Sequence, residues 1–310
     1  MTASSDRYEL PMADARPMRD VFWLLWHDKL AFISAIFLIC ILLSAIFAPW
    51  LLHEPATMMN LRARNMPPFS LEQGWMFILG ADALGRSILA RILVGSRDTL
   101  AVAGATVLCA SIIGTSLGLI SGFAGGRLGN FILRAADIVM SFPSLLLALI
   151  VLYVLGTSVI NVVLVLALTR VPFYLRTCRA EVLEIRERMF VTAARALGAS
   201  HWRLVVRHIA PMVLPTMLTL ATVDLATVML SESSLSFLGL GLQPPAISWG
   251  LMVAEGQGYL TTAWWLSFWP GLAITLTTIS FNLLAGWVRI AADPVQRWRL
   301  ESGEDEKVDG

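Results

Sequence analysis

Residues Arg186 to Pro215 read RERMFVTAARALGASHWRLVVRHIAPMVLP, and the placement of this stretch decides the fold. It is basic, rich in small side chains, and flanked by apolar runs long enough to cross a bilayer. Gly198 can end a first helix in the left-handed conformation that costs other residues energy. Ser200 can cap a second helix, its hydroxyl accepting an orphan backbone N–H. The short side chains of Ala193, Ala194 and Ala196 let another surface approach the backbone closely. The stretch therefore predicts a docking element: two short helices held at the membrane face for a soluble partner to grip.

Around it, composition points to lipid. Of 310 residues 57% are hydrophobic and 15% charged, with mean hydropathy +0.71, against ~45–50% and ~25% for soluble domains. The lysines are Lys29 and Lys307, and neither follows a glycine or precedes Ser or Thr. A P-loop needs that Gly-Lys-Ser/Thr ending, so any ATP must be bound by another subunit. Cys40, Cys109 and Cys178 fall in or beside apolar runs without metal spacing, and read as small buried hydrophobes. No metal site is expected. The N-terminal residues lack a cleavable-signal pattern, so the first apolar run is expected to be retained.

A transmembrane helix needs ~20 mostly apolar residues. Six runs qualify: 30–52, 99–123, 138–156, 158–175 (interrupted by Arg170 and Pro172), 209–230 and 264–288. The expected order is a tail 1–29, the first span 30–52, an extracytoplasmic loop 53–98, a five-helix core 99–290 and a tail 291–310. Placing the N-terminus inside puts seventeen Lys and Arg residues on the cytoplasmic side and five outside, as the positive-inside rule demands. Arg86, Arg91 and Arg97 of the outer five lie in GRSILARILVGSR, whose helical apolar spacing predicts an amphipathic helix at the outer interface. SESSLSFLGLGLQPPAISWG, after the fifth run, is too short to cross and too apolar for an ordinary loop. It predicts a partly re-entrant or outer-face element. The tail ESGEDEKVDG reads as disordered.

Gly114, Gly118 and Gly122 share one helix face, a surface for close helix–helix contact within this chain or with a second subunit. Tryptophans near the proposed ends (Trp23, Trp26, Trp50, Trp264, Trp265, Trp287, Trp298) read as interfacial anchors. Arg134 and Asp137 read as an interfacial charge cluster. Asp224 and Arg170 lie inside spans, where a charge costs at least ~2.5 kcal/mol and usually faces a cavity or a partner. Two readings stand: Asp224 faces a translocation path and meets a cationic part of a substrate, or it forms a buried pair with Arg170 or a polar contact with a second permease. Glu232, at the outer end of the fifth run, is expected to hydrogen-bond the Gly-rich outer element.

These residues resemble a known family. The docking stretch is similar to the EAA loop of ABC importer membrane subunits, roughly EAA, three residues, Gly, then nine residues to I-x-L-P. Here it stands as Thr192-Ala193-Ala194, Gly198 and Ile209-Ala210-Pro211, with Thr in place of Glu. LGADALGRSILARILVGSRDTL resembles the LGTDxxGRDxxSRxxxGxxxSL element of the dipeptide, oligopeptide and nickel permease group. GGRLGNFILRAADIVMSFPSLLLAL, SESSLSFLGLGLQPPAISWG and WWLSFWPGLAITLTTISFNLL resemble its further signatures, in order, over about residues 30–299.

The resemblance implies an all-α type I ABC importer permease, the C-type partner of a two-permease pair, in a bacterial inner membrane. Its partners would be a B-type permease, two ABC ATPase subunits holding ATP and Mg²⁺, and an extracytoplasmic solute-binding protein, with no nucleic acid. Thr192, Ala193, Ala194, Arg195, Leu197, Gly198, Ala199 and Ser200, within an EAA loop spanning 181–211, would dock on the ATPase. Asp224, Arg170 and Glu232 would be path candidates. Peptides, nickel chelates and other small solutes all remain open as cargo. A membrane enzyme is disfavoured because His27, His53, His201 and His208 form no catalytic set. A stand-alone secondary transporter would show an inverted repeat. An exporter would carry long cytosolic helical extensions.

Overall fold

The computed structural model describes residues 25–26, 28–70 and 73–292. The expectations for most of the two tails, with Trp23 and Trp298, lie outside the described residues. Helices α1 (Lys29–Leu51) and α2 (His53–Thr57) lead into a loop with short turns at Leu61–Ala63 and Trp75–Phe77. Then come α3 (Ile88–Ala124), α4 (Gly126–Met140), α5 (Ser144–Leu155), α6 (Val159–Ile185) and α7 (Met189–Ala196). A 37-residue rod, α8 (His201–Phe237), includes a π-helical turn at Val205–Ile209. Helices α9 (Trp249–Gly256) and α10 (Trp265–Ala292) complete the described chain.

Five of these helices are long and apolar enough to cross a membrane, and α4 with α5 makes a sixth if the bent pair counts as one span. Helix α1 shows why they form. Asp28 caps it, its carboxylate accepting from Ala31 N at 3.1 Å. Large apolar side chains such as Ile33, Ile36, Ile39 and Phe47 stay exposed along its length, which suits hydrocarbon rather than water. Its 23 residues extend about 35 Å at 1.5 Å each, enough for a ~30 Å hydrocarbon layer.

The expected interfacial helix at 86–97 is instead the opening of α3. Ser87 caps that helix, accepting from Ala90 N at 3.2 Å and donating to Met76 O at 2.6 Å. The chain then runs unbroken to Ala124, with Ile88, Ala90, Ile92, Val94 and Ser96 buried. Helical spacing of apolar residues had the right period, but the face looks onto protein. Trp249, fully buried, donates its indole N–H to Ile92 O at 2.8 Å and its backbone N–H to Thr99 Oγ1 at 3.0 Å.

The expected third span, 138–156, is also revised. Helices α4 and α5 meet at 85° across Ser141–Pro143. Proline disfavours helical geometry at the residue before it, Phe142. Helix α5 alone has 12 residues, about 18 Å, too short to cross. The fourth span runs through Arg170 and Pro172 without a break and continues to Ile185. The fifth is longer than 209–230 at both ends.

The glycine face on α3 packs against α6 within this chain. A Cβ on Gly114 would lie 2.5 Å from Tyr174 Cβ, one on Gly118 2.5 Å from Cys178 Cβ, and one on Gly122 2.7 Å from Val182 Cβ. Three successive turns of backbone thus touch α6 directly, the arrangement small residues permit in lipid. Trp26, Trp50 and Trp264 are exposed near helix ends, whereas Trp265 and Trp287 are buried. Trp265 donates to Ala81 O at 3.3 Å. Cys178 is buried as expected, but Cys40 is exposed on α1.

Candidate functional site

The docking stretch folds as a hairpin of α7 and the start of α8. Gly198 takes φ +82°, and its N–H donates to Arg195 O at 3.0 Å while Ala199 N–H donates to Ala194 O at 3.1 Å. This pair of bonds closes a helix C-terminus in the Schellman pattern. Ser200, with extended backbone, then caps α8 by accepting from Arg203 N at 3.4 Å. The buried side of the hairpin places Val191, Leu204 and Ile209 in one apolar cluster with Cys178, Val182 and Ile185 of α6. His201 meets Phe123 edge-on, with ring centroids 5.5 Å apart.

Its other side is open. Thr192, Ala193, Arg195, Gly198 and Ser200 are exposed, and Ala194 and Ala199 are partly so. Met189, Leu197 and Trp202 are 88%, 89% and 77% exposed. Three large apolar groups left uncovered on a segment rich in arginine form the kind of patch a partner covers.

Two arginines that sequence alone left unassigned fix the base of the hairpin. Arg179 Nη1 donates to Ser121 O and Gly129 O, both at 2.9 Å, and Arg186 Nη1 donates to Gly122 O at 3.0 Å. Gly122 O lies in the last turn of α3, where carbonyls lack intrahelical partners, and Arg186 supplies one. Arg179 instead ties Ser121 O, which also takes the Gly125 N–H at 3.2 Å, to Gly129 in the first turn of α4. The glycines of GFAGGR, by ending α3, were the signal that such partners were needed. Asp137 pairs with Arg176 of α6 rather than with Arg134.

Partway along their lengths, α6 and α8 are joined by charge. Arg170 Nη2 donates to Asp224 Oδ1, and Tyr174 Oη donates to Asp224 Oδ2 at 3.1 Å. Asp224 is 1% exposed, whereas the Arg170 side chain is 25% exposed. The pairing reading of Asp224 is the one the geometry matches, since both carboxylate oxygens are occupied within this chain. Glu232, fully buried, accepts from Ser236 Oγ at 2.7 Å and Ser248 Oγ at 3.3 Å. Ser236 Oγ in turn accepts from Leu242 N at 3.2 Å. Glu232 thus fastens the Gly-rich outer segment to α8.

A second buried charge cluster was not foreseen. Arg91, 3% exposed, donates to Asp82 Oδ2 at 2.6 Å and forms an ion pair with Glu255 Oε2 at 2.8 Å. Asp82 also accepts from Arg86 Nε at 2.6 Å and from the backbone N–H groups of Leu84 and Arg86 at 2.9 and 2.8 Å. Two of the five outer arginines, Arg86 and Arg91, are neutralised here. Among the described residues no group of His, Cys, Asp and Glu has metal-holding geometry.

Residues 114–297 match the family model described as the binding-protein-dependent transport system inner membrane component. Residues 16–68 match the N-terminal transmembrane domain of oligopeptide transport permease C. A probable D,D-dipeptide transport system permease of Escherichia coli K12 is 38% identical over 88% of this chain and 90% of its own length. A di/tripeptide transport system permease of Pseudomonas aeruginosa is 36% identical over 90% and 92%. A nickel transport system permease of Escherichia coli K12 is 36% identical over 87% and 94%. The inward-facing methionine ABC transporter MetNI aligns with TM-score 0.51 at 20% identity, over 64% of this chain and 96% of the matched chain. That likeness concerns the fold. With the family model spanning more than half its length and relatives matched nearly end to end, the chain belongs to the inner-membrane permease components of binding-protein-dependent transport systems.

Proposed function

We propose that this chain is one of two permease subunits of an ATP-driven importer that carries peptides across a bacterial inner membrane. Its termini face the cytoplasm. The hairpin at 189–209 docks on an ABC ATPase, using Thr192, Ala193, Ala194, Arg195, Leu197, Gly198, Ala199 and Ser200. ATP and Mg²⁺ belong to two ATPase partners, and a solute-binding protein delivers cargo on the opposite face. The observation that carries this reading is the hairpin itself. It is closed by its own backbone bonds, anchored to α6 by Val191, Leu204 and Ile209, and uncovered at Met189, Leu197 and Trp202. The peptide permeases among the relatives favour peptide cargo.

The test is directional. In a background with Cys40, Cys109 and Cys178 replaced by Ala, Leu197→Cys is expected to react with a membrane-impermeant maleimide only from the cytoplasmic side. In the assembled complex the same thiol should be shielded and should cross-link to the ATPase. Labelling from the outer side, or full accessibility in the assembled complex, would refute the docking role. Uptake of nickel chelates without uptake of any peptide would move the cargo to the nickel relative's class.

A further inference from the structure

The charges that join α6 and α8 point to a cargo chemistry opposite to the one Asp224 suggests in sequence. Asp224 is 1% exposed and both its oxygens are taken, one by Arg170 and one by Tyr174. It has no free face to offer a cation. Arg170 is different. A guanidinium carries five N–H donors, and Asp224 receives one of them, from Nη2. The buried Nε of Arg170 has no hydrogen-bond partner among the described residues.

Those spare donors belong to a residue that lines a cavity of about 90 Å³ between α5, α6 and α8. Four hydroxyl residues, Ser144, Thr169, Thr227 and Ser231, line it with Arg170, and Leu166 and Leu235 are among its apolar lining. Thr169 and Ser231 donate back to their own helices, at Leu166 O and Thr227 O. Among the described residues the Ser144 and Thr227 hydroxyls have no such bond, and they can turn to a guest. A polar cavity of this volume has room for a few waters or one carboxylate group. Arg170 lies about 16 Å along α6 from its start at Val159, in the middle third of that helix.

From these features we infer that Arg170, with Thr227 and Ser144, forms a carboxylate subsite on the translocation path, where the C-terminal carboxylate of a transported peptide rests in passage. Asp224 and Tyr174 act as positioning residues. Asp224 holds the guanidinium at Nη2 and neutralises it in the empty state, so that it can stand in lipid without a guest, and Tyr174 fixes Asp224 through its other oxygen. A carboxylate is the group whose two oxygens match a guanidinium edge. The inference rests on the importer reading and narrows it to carboxylate-bearing cargo.

The experiment uses the whole complex in proteoliposomes with its binding protein. The probes are di- and trialanine, each as free acid and as C-terminal amide, at concentrations that saturate the binding protein. Arg170→Gln together with Asp224→Asn removes both charges at once, so neither is stranded. Thr227→Leu keeps the ion pair and fills the cavity. Dividing each variant rate by the wild-type rate for the same probe cancels the binding protein's own selectivity. Loss of a charge-assisted hydrogen bond predicts a fall of about tenfold or more for the free acids, with the amides unchanged.

Should the double variant fail to assemble, Thr227→Leu decides alone. Equal effects on acids and amides, or none on either, overturn the subsite and leave the importer standing. Absence of uptake of all four probes by the wild-type complex overturns the peptide reading and the subsite with it.

Discussion

Gly198→Val isolates one degree of freedom in the docking hairpin. A Cβ at Gly198 would meet nothing within 4 Å, so the substitution adds no clash. Its cost comes from φ +82°, which an L-residue adopts at roughly 1–2 kcal/mol and a β-branched one only as an outlier. If the backbone relaxes instead, the bonds Gly198 N to Arg195 O and Ala199 N to Ala194 O, at 3.0 and 3.1 Å, are lost. Either way the closed hairpin loses about tenfold in population relative to open forms, since about 1.4 kcal/mol is a factor of ten. The rest of the chain is untouched, and a loss of ~1–2 kcal/mol leaves most of a net stability of ~5–15 kcal/mol in place. The variant should therefore reach the membrane in normal amount and show a lower ratio of solute moved to ATP hydrolysed, or weaker retention of the ATPase on purification. Gly198→Asn is the informative partner, because Asn enters left-handed geometry far more readily than Val. It should restore most of the coupling. If Val, Asn and wild type assemble and couple alike, the turn at Gly198 has no part in energy transfer.

Gly118→Leu should be far more damaging to the fold itself. A Cβ there lies 2.5 Å from Cys178 Cβ and 2.9 Å from Leu175 O, so α3 and α6 must part, at a cost of about 1–3 kcal/mol or more. Thermal unfolding in detergent should fall sharply, whereas Gly104→Ala, whose new Cβ meets nothing within 4 Å, should be neutral. Arg91→Met is expected to destabilise by about 3 kcal/mol, at the low end for a broken buried pair, because Asp82 keeps Arg86 and two backbone donors. Adding Glu255→Gln should recover part of that loss in the same melting assay.

The spans were legible because ~20 apolar residues in a row have few other fates. Their ends were not, and each miss has a physical cause. Charge was taken to mark the water boundary, yet Arg91 is neutralised by Asp82 and Glu255, and Arg179 is solvated by the carbonyls of Ser121 and Gly129. Such partners are remote in sequence, so α3 began earlier and α6 ended later than hydropathy allowed. Helical period found the buried face of 88–96 but could not say whether lipid or protein covered it. The hairpin was read best, because Gly198 and Ser200 act on neighbours within five residues. Arg170 and Asp224, 54 positions apart, could be suspected of pairing from cost alone. Only the structure shows that the pair leaves Arg170 donors to spare.

Two levels of contact tie α6, α8 and the hairpin together. At the hairpin, Val191, Leu204 and Ile209 share one apolar cluster with Cys178, Val182 and Ile185. Farther from the hairpin, Arg170 and Tyr174 of α6 hold Asp224 of α8. Two helices fastened at separate heights cannot slide past one another without breaking one fastening, and breaking a buried pair costs about 3–5 kcal/mol. The compliant part of α8 begins within the hairpin fastening, at the π-helical turn Val205–Ile209, and extends through Pro211 and Pro215 toward Asp224; there backbone bonds are widened or missing. Above Pro215 the helix is continuous past Asp224 to Glu232, which holds the outer Gly-rich segment through Ser236 and Ser248. On the proposed docking role, force applied at Leu197 and Gly198 would reach both helices through the shared packing beneath the hairpin. It would tilt them as a pair, carrying Arg170 and the outer segment with them, the motion an alternating-access path requires of one half of its wall.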